Sequence, residues 1–339
     1  MAKKRKSSSI EVRDWMKTLR TSEPERIYVF YGEERYRLEQ SVNMIRDRAV
    51  PKELQDLNVT TIEGARCSRD ELWEVCATMP VMCDRRVVIV SDYPLFKDEG
   101  IEEMLDSLGE EICLIFTFSK PDFSPDRRTK AYKAVEKRAK LVNFERATPG
   151  ELKSYIKSLF LRRRHTISDG DALYMISVCG NDMQTLFVEA AKISAYAKET
   201  NIRRSDIDAV GTRALESKVF DLTSDITSGS IVSALERLHD LELLAESPIM
   251  VNALIGRQFR QVYMCKCARN EGYEGSLMLD LGLRYVFHLE PLMEAAERYT
   301  LDELRTLLIE CEKNDLELKS GGDYDILCMF IAKAAGGKQ

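Results

Sequence analysis

Short apolar runs alternate with amphipathic stretches over the first 147 residues. Five runs have the length and the β-branched or aromatic content of buried strands, and they occupy residues 27–31, 57–62, 87–90, 112–118 and 141–144. Helical spacing of apolar residues separates them, and one helix opens at the capping box Ser68-Arg69-Asp70-Glu71. A basic helix is predicted over residues 126–140. Strands that alternate with helices predict an open parallel α/β sheet for residues 26–147.

The pattern becomes helical from residue 148 onward. Thr148-Pro149-Gly150-Glu151 combines an N-cap residue, a proline at the first helical position and a glutamate at the third. Ser168 begins a second helix that Gly180 ends, Asn181 or Asp182 begins a third, and Ser205 caps a short fourth. No strand pattern occurs here, so we predict a small helical domain over residues 148–212.

Residues 213–339 keep the helical periodicity. Ser247-Pro248 begins a long helix, and Thr300-Leu301-Asp302-Glu303 is another capping box. A Gly321-Gly322 pair precedes the last helix. We predict a second, larger all-α domain for this region.

Length and composition agree with a chain of two or three folded domains. The chain has 339 residues, of which 44% are hydrophobic and 31% charged. It begins with MAKKRKSSS, which is basic and polar and lacks the apolar segment of a secretory signal. We predict a disordered or poorly ordered tail over residues 1–25. No apolar run approaches the roughly 18 residues of a membrane span, so we expect a cytoplasmic protein without a membrane partner.

The net charge and the spacing of the cysteines limit the kinds of binding site that we expect in this chain. The net charge of −6 means that any contact with nucleic acid must be a local basic patch. Candidate patches are Arg127-Arg128-Thr129-Lys130 and Arg162-Arg163-Arg164, although a solvated surface is the simpler interpretation of each stretch. The nine cysteines form no paired C-x-x-C motif, and there are three histidines, so we expect free thiols and no metal site.

The strand at residues 27–31 is followed by Gly32 and a helix, which is the framework of a P-loop. A P-loop continues G-x-x-x-x-G-K-[ST], and counting from Gly32 places Arg37, Leu38 and Glu39 where glycine, lysine and a hydroxyl are needed. Arg37 lacks the torsional freedom of glycine, Leu38 carries no charge, and Glu39 would repel a triphosphate. We therefore expect no bound nucleotide, no other cofactor and no ATP hydrolysis.

Four consecutive apolar residues, Met79-Pro80-Val81-Met82, precede the strand at residues 87–90. Because the residue before a proline is pushed out of helical torsions, the preceding helix ends near Met79. The four residues then form a helix end or a loop. Such a segment either packs back onto the sheet or forms an exposed contact surface, and the pattern alone does not choose between them.

Several motifs together resemble one family. YVFYGEERY, TMPVMCDRRVVIVSD, VCGNDMQTLFVEAAKISAYA, ESKVFDLTSDITSGSIVSALERL, ESPIMVNALIGRQFRQVYMCK and LELKSGGDYDIL occur in the order and spacing of the delta subunits of bacterial DNA polymerase III, which are AAA+ clamp-loader proteins. The resemblance covers residues 26–335. It implies an AAA+-like domain with a degenerate ATP site, a helical lid domain over residues 148–212 and a helical collar domain over residues 213–339.

Two further positions fit the loss of the ATP site that this resemblance implies. Active members carry Asp-Glu after the strand at residues 87–90, whereas this chain has Ser91-Asp92. The arginine that active lids use to sense the γ-phosphate is replaced by Gln184 in GNDMQ. The resemblance thus implies a subunit that does not hydrolyse ATP.

The resemblance also implies a function and a site. Such a subunit binds and opens the sliding clamp (the beta subunit) for loading onto primed DNA, joins gamma/tau-type and delta-prime-type subunits through its collar, and meets primer-template DNA in the assembled complex. It has no catalytic site of its own and works within the polymerase holoenzyme. Family members insert two large hydrophobic residues, commonly Leu and Phe, into the clamp, which corresponds here to Val81 and Met82 with Met79 beside them. Met in place of Phe departs from the usual pattern.

Two other functions are compatible with a chain of this composition. One is an active AAA+ ATPase subunit, which the missing P-loop lysine opposes. The other is a helical nucleic-acid-binding adaptor without clamp contact, which the negative net charge opposes. The resemblance favours a monomer for the isolated chain.

Overall fold

The computed structural model describes residues 15, 16, 19, 21–271, 277–281 and 289–336. The chain divides into two compact units, Met1–Thr148 and Pro149–Gln339. No helix in the described ranges is long and apolar enough to cross a lipid bilayer.

The first unit is built on a five-stranded parallel sheet with the strand order β2-β3-β4-β1-β5. Its strands are β1 (Ile27–Tyr31), β2 (Val59–Glu63), β3 (Arg86–Ser91), β4 (Ile112–Thr117) and β5 (Lys140–Asn143). In register, Val29 lies beside Phe116 on one side and Leu141 on the other. The predicted α/β fold with a parallel sheet is confirmed. The edge strand β2 begins two residues later than predicted, because Asn58 ends a short helix.

Five helices connect these strands, and two of their boundaries test the sequence patterns. The helices are α1 (Arg35–Ala49), α2 (Gln55–Asn58), α3 (Arg69–Cys76), α4 (Ile101–Ser107) and α5 (Lys130–Glu136), with 3-10 turns at Lys52–Leu54 and Gly64–Arg66. The capping box at Ser68 is confirmed, since its N–H and its hydroxyl both bond Glu71. The predicted helix over residues 126–140 is wrong in length. Thr129 caps α5, so the residues before it form a turn.

Alternate residues of the strands point to opposite faces of the sheet and build two cores. Val29, Val90 and Phe116 belong to one core cluster, and Tyr28 and Ile115 belong to the other. This alternation explains why the strands read as nearly continuous apolar runs.

The second core cluster also contains residues from the segment predicted to be a disordered tail. The Trp15 ring is buried, with its centroid 5.4 Å from that of Phe30 and 6.0 Å from that of Phe144, and Leu19 is buried in the same cluster. The predicted tail therefore has to be corrected at these residues, because a buried indole and leucine remove apolar surface from water. Residues 1–14 lie outside the described residues.

The second unit is mainly helical. Its helices are α6 (Pro149–Arg162), α7 (Asp169–Cys179), α8 (Met183–Tyr196), α9 (Arg204–Val210), α10 (Leu215–Ser228), α11 (Ile231–Leu243), α12 (Pro248–Glu271), α13 (Leu277–Asp280), α14 (Leu289–Arg298), α15 (Leu301–Lys319) and α16 (Tyr324–Gly336). The predicted caps at Ser168, Asp182 and Thr300 are confirmed, and Gly180 ends α7 with a φ of 88°. The fourth helix begins at Arg204 rather than after a cap at Ser205.

The prediction that residues 148–212 lack strands is wrong. The strands β6 (Thr166–Ile167) and β7 (Asn201–Ile202) pair in parallel. Two residues are too few to give a periodic pattern, so the pairing is visible only in three dimensions. A separate core cluster extends from Val219 to Ala335. The division of this unit into lid and collar domains at residues 212 and 213 stays a prediction.

Candidate functional site

The apolar segment predicted before β3 lies on the loop of residues 77–85, between α3 and β3. Met79, Val81 and Met82 expose 65%, 44% and 84% of their surface, and Pro80 is half-buried. These three side chains therefore do not pack back onto the sheet. We call Met79, Val81 and Met82 the apolar tip.

The backbone of the tip is fixed by a buried side chain from α2. The Asn58 side chain is completely buried, and its Oδ1 accepts a hydrogen bond from the Val81 N–H at 2.6 Å. Its Nδ2 donates to the carbonyl oxygens of Val81 at 2.9 Å and of Leu54 at 3.0 Å. The Val81 backbone is thus held on both sides of its Cα while its side chain faces solvent.

The loop residues after the tip are tied to the body of the unit. Cys83 is half-buried against the core cluster that contains Trp15, and its thiol donates to the Arg85 carbonyl oxygen at 3.1 Å. The Arg85 guanidinium in turn donates to the Pro24 carbonyl oxygen. Met82 has a left-handed backbone with φ 59°, which is uncommon for a residue other than glycine. Burial raises the pKa of the Cys76 thiol, at the end of α3, to about 12.

Two exposed apolar side chains next to the loop were not predicted as part of the site. Leu57 directly precedes Asn58 and is 53% exposed, and its carbonyl oxygen accepts a hydrogen bond from Arg86 Nη1 at 3.0 Å. Trp73 is exposed on the last turns of α3. Sequence patterns assigned Leu57 to a strand. Asn58 carries no sequence signal, because its partner is 23 residues away.

The turn after β1 is short and closely packed. Three residues separate β1 from α1, and Gly32 has a φ of 121°. A Cβ atom on Gly32 would lie 2.5 Å from the Phe144 carbonyl oxygen, so the backbone of the segment after β5 already fills this space. Leu38, at the position of the P-loop lysine, is buried in the core. The turn after β1 and the start of α1 therefore pack into the core of the first unit.

Other groups occupy the same edge of the sheet. Arg35 Nη1 donates to the Phe118 carbonyl oxygen at 2.7 Å, and the rings of Phe118 and Phe123 stack with their centroids 3.9 Å apart. Asp92 follows β3 and binds Ser119.

Gln184 lies exposed on the first turn of α8 in the second unit. Within the described ranges, no group of three or more His, Cys, Asp or Glu side chains is arranged to hold a metal ion.

The apolar tip and the turn after β1 lie at opposite ends of the sheet. The tip and Asn58 precede β3 and β2, so they lie at the amino ends of the parallel strands, whereas Gly32 and Asp92 follow β1 and β3 at the carboxyl ends. Strands of five or six residues place these edges about 16–20 Å apart. A contact made by the tip is therefore separate from the turn after β1.

The predicted basic stretches lie at the surface. Arg127, Arg128 and Lys130 are exposed, and Arg128 pairs with Asp126 at 3.0 Å. In the second stretch, Arg162 and Arg164 are exposed. The remaining member, Arg163, lies over the Phe187 ring at 5.2 Å from its centroid and is used in packing.

Comparison with known proteins agrees with the resemblance given by the motifs. A family model of the DNA polymerase III delta subunit matches residues 28–145, and a model of its C-terminal domain matches residues 216–333. DNA polymerase III subunit delta of Bacillus subtilis (strain 168) is 27% identical over 320 residues, which cover 91% of this chain and 92% of that protein. The solved structure of the Bacillus subtilis DNA clamp loader delta protein is 25% identical, with 96% of this chain and 99% of that chain covered and a TM-score of 0.62. The chain belongs to the family of DNA polymerase III delta subunits.

Proposed function

We propose that this chain is the clamp-binding subunit of a polymerase III clamp loader. It binds the sliding clamp through the apolar tip and opens it without hydrolysing ATP itself. The exposure of Met79, Val81 and Met82 on a loop with a fixed backbone is the observation that carries this proposal.

The tip has the properties of an interface anchor. Fully burying a Val or Met side chain contributes roughly 1.5–3 kcal/mol, and a central apolar anchor can dominate the binding energy of an interface. A loop that is already ordered in the free protein loses little entropy on binding. Three such side chains on one loop are therefore sufficient for a specific contact with an apolar pocket on the clamp.

Clamp opening follows from binding energy in this proposal. A subunit that binds the open ring more tightly than the closed ring shifts the population toward the open ring by that difference in affinity. Because the turn after β1 has no phosphate loop, the energy of ATP enters through other subunits. Gamma/tau-type and delta-prime-type subunits are the proposed partners of residues 213–339, which carry exposed apolar side chains such as Val232 and Met329.

Primer-template DNA is a proposed partner within the assembled complex only. The exposed cations Arg127, Lys130 and Arg162 are available for phosphate contacts, which need positioned charges and no particular sequence. DNA synthesis itself belongs to other subunits of the holoenzyme.

A direct binding measurement tests the clamp contact. Purified chain is titrated with the clamp of the same bacterium in the absence of nucleotide, and the Kd is compared with that of Val81→Ser/Met82→Ser. We expect the double variant to bind at least about tenfold more weakly, which is roughly 1.4 kcal/mol. Its melting temperature should barely change, because both side chains are exposed in the free protein.

A matched control removes the same two residue types elsewhere. Val188→Ser/Met329→Ser changes one valine and one methionine that are 50% and 65% exposed in the second unit. This control should keep the clamp affinity of the wild type. Unchanged affinity in Val81→Ser/Met82→Ser, or an equal loss in the control, would show that the clamp contacts another surface.

A further inference from the structure

The buried Asn58 side chain forms two hydrogen bonds with the backbone of Val81 in the apolar tip. A primary amide offers an acceptor oxygen and two N–H donors. Here the oxygen takes the Val81 N–H at 2.6 Å, while the nitrogen donates to the Val81 carbonyl at 2.9 Å and the Leu54 carbonyl at 3.0 Å. The side chain therefore pairs with Val81 as a neighbouring strand would.

Asn58 is itself held on a rigid element. It is the last residue of α2, and the next residue, Val59, begins β2 and lies beside Val87 of β3. Arg86 fixes the same junction, because its guanidinium donates to the Leu57 carbonyl oxygen at 3.0 Å and to the Thr60 hydroxyl at 2.8 Å. The position of the amide is thus set by the sheet and not by the loop.

The remainder of the loop lacks regular structure. Nine residues separate α3 from β3, and none of them belongs to a helix or a strand. Met82, directly after the bound Val81, has the strained φ of 59°. A strained residue persists only where its surroundings determine its backbone, and the pair of hydrogen bonds to Val81 supplies such a restraint.

We propose that Asn58 is a positioning residue for clamp recognition. It does not contact the clamp, and it holds the loop in the conformation in which Val81 and Met82 point into solvent together. This inference rests on the proposed function of the tip and adds to it a residue that acts through the loop backbone. Removal of the amide should release the loop and weaken binding by about tenfold, or roughly 1.4 kcal/mol.

The test uses the full-length chain with two substitutions of Asn58. Asn58→Ala removes the side chain, and Asn58→Leu keeps a similar shape without hydrogen bonds, so that at least one variant is measured in a folded state. Both should raise the clamp Kd about tenfold. Hydrogen exchange at the Val81 N–H should accelerate by at least about tenfold, while the amides of β3 stay protected.

A matched control separates positioning from loss of stability. Asn252 is another buried asparagine whose Nδ2 donates to a backbone oxygen, that of Cys311 at 2.9 Å, and it lies in the second unit. Asn252→Ala should lower the melting temperature and leave the clamp Kd unchanged. If Asn58→Ala and Asn252→Ala both weaken clamp binding in proportion to their loss of melting temperature, the positioning role of Asn58 is overturned.

A double-mutant cycle gives the decisive readout. If Asn58 acts through the tip, Asn58→Ala should cost no further affinity once Val81→Ser/Met82→Ser is present. Additive losses overturn the inference. Full affinity in the Asn58 variants, with Val81 exchange accelerated, overturns it and leaves the proposed function intact. Full affinity in Val81→Ser/Met82→Ser overturns both.

Discussion

Asp92 accepts two hydrogen bonds from Ser119: the Ser119 N–H lies 2.7 Å from Oδ1, and its hydroxyl lies 2.5 Å from Oδ2. The two residues follow the neighbouring strands β3 and β4 at the carboxyl edge of the sheet. Asp92 therefore joins the carboxyl ends of two neighbouring strands.

We expect no saturable ATP binding at millimolar nucleotide and no hydrolysis above background, with or without magnesium. The turn after β1 has no phosphate loop, and Asp92 is engaged by Ser119. Equilibrium dialysis and phosphate release measure the two properties. A micromolar Kd for ATP would contradict this prediction.

Leu38→Lys, which restores the P-loop lysine by sequence, should not restore nucleotide binding. Leu38 is buried in the core, so an ammonium there should reduce the free energy of unfolding by about 3 kcal/mol or more. Urea unfolding measures the loss. Glu39→Lys on the exposed neighbouring position is the control and should stay within about 0.5 kcal/mol of the wild type. Equal stabilities of the two variants would show that residue 38 is not in the core.

Hydrogen peroxide should weaken clamp binding by oxidising the tip. Each thioether of Met79 and Met82 takes one oxygen atom from peroxide, releases water and becomes a polar sulfoxide. The buried Cys76, with its raised pKa, stays a protonated thiol and reacts slowly. Met79→Leu/Met82→Leu should keep its affinity through the same treatment. If that variant is equally sensitive, oxidation acts elsewhere.

The ionised Asp169 carboxylate should increase the free energy of unfolding, and this contribution should be lost at acid pH. Lys153 and Lys157 donate to its carboxylate at 2.7 Å each and lower its pKa from 3.8 to about 2. A lowered pKa in the folded state adds stability above pH 4, and this stability is lost as the pH falls toward 2. The stability difference between wild type and Asp169→Asn should therefore shrink from pH 4 downward in urea unfolding. A difference between wild type and Asp169→Asn that is independent of pH would contradict the assignment.

The predicted collar should be dispensable for the clamp contact. The tip and Asn58 lie in the first unit, which has its own core clusters. A fragment of residues 1–212 should therefore bind the clamp with the affinity of the full chain, whereas assembly with other subunits should be lost. Clamp binding by a fragment of residues 213–339 alone would place the interface in the collar.

Local patterns in the sequence were sufficient for most elements of the fold. The strand at residues 27–31 and the caps at Ser68, Ser168 and Thr300 were located correctly, because apolar periodicity and capping depend on residues within a few positions of each other. The loss of the P-loop lysine at Leu38 was also readable, since it depends on spacing from Gly32.

The tertiary structure decided the relationships between distant residues. Asn58 binds Val81 across 23 positions, and Asp92 binds Ser119 across 27. Trp15 joins the core although its segment is polar overall. A hydrogen bond from a side chain to a distant backbone group leaves no period in the sequence. Local sequence patterns therefore predict the strands, the helix caps and the apolar tip, whereas only the tertiary structure determines which buried amide holds that tip in place.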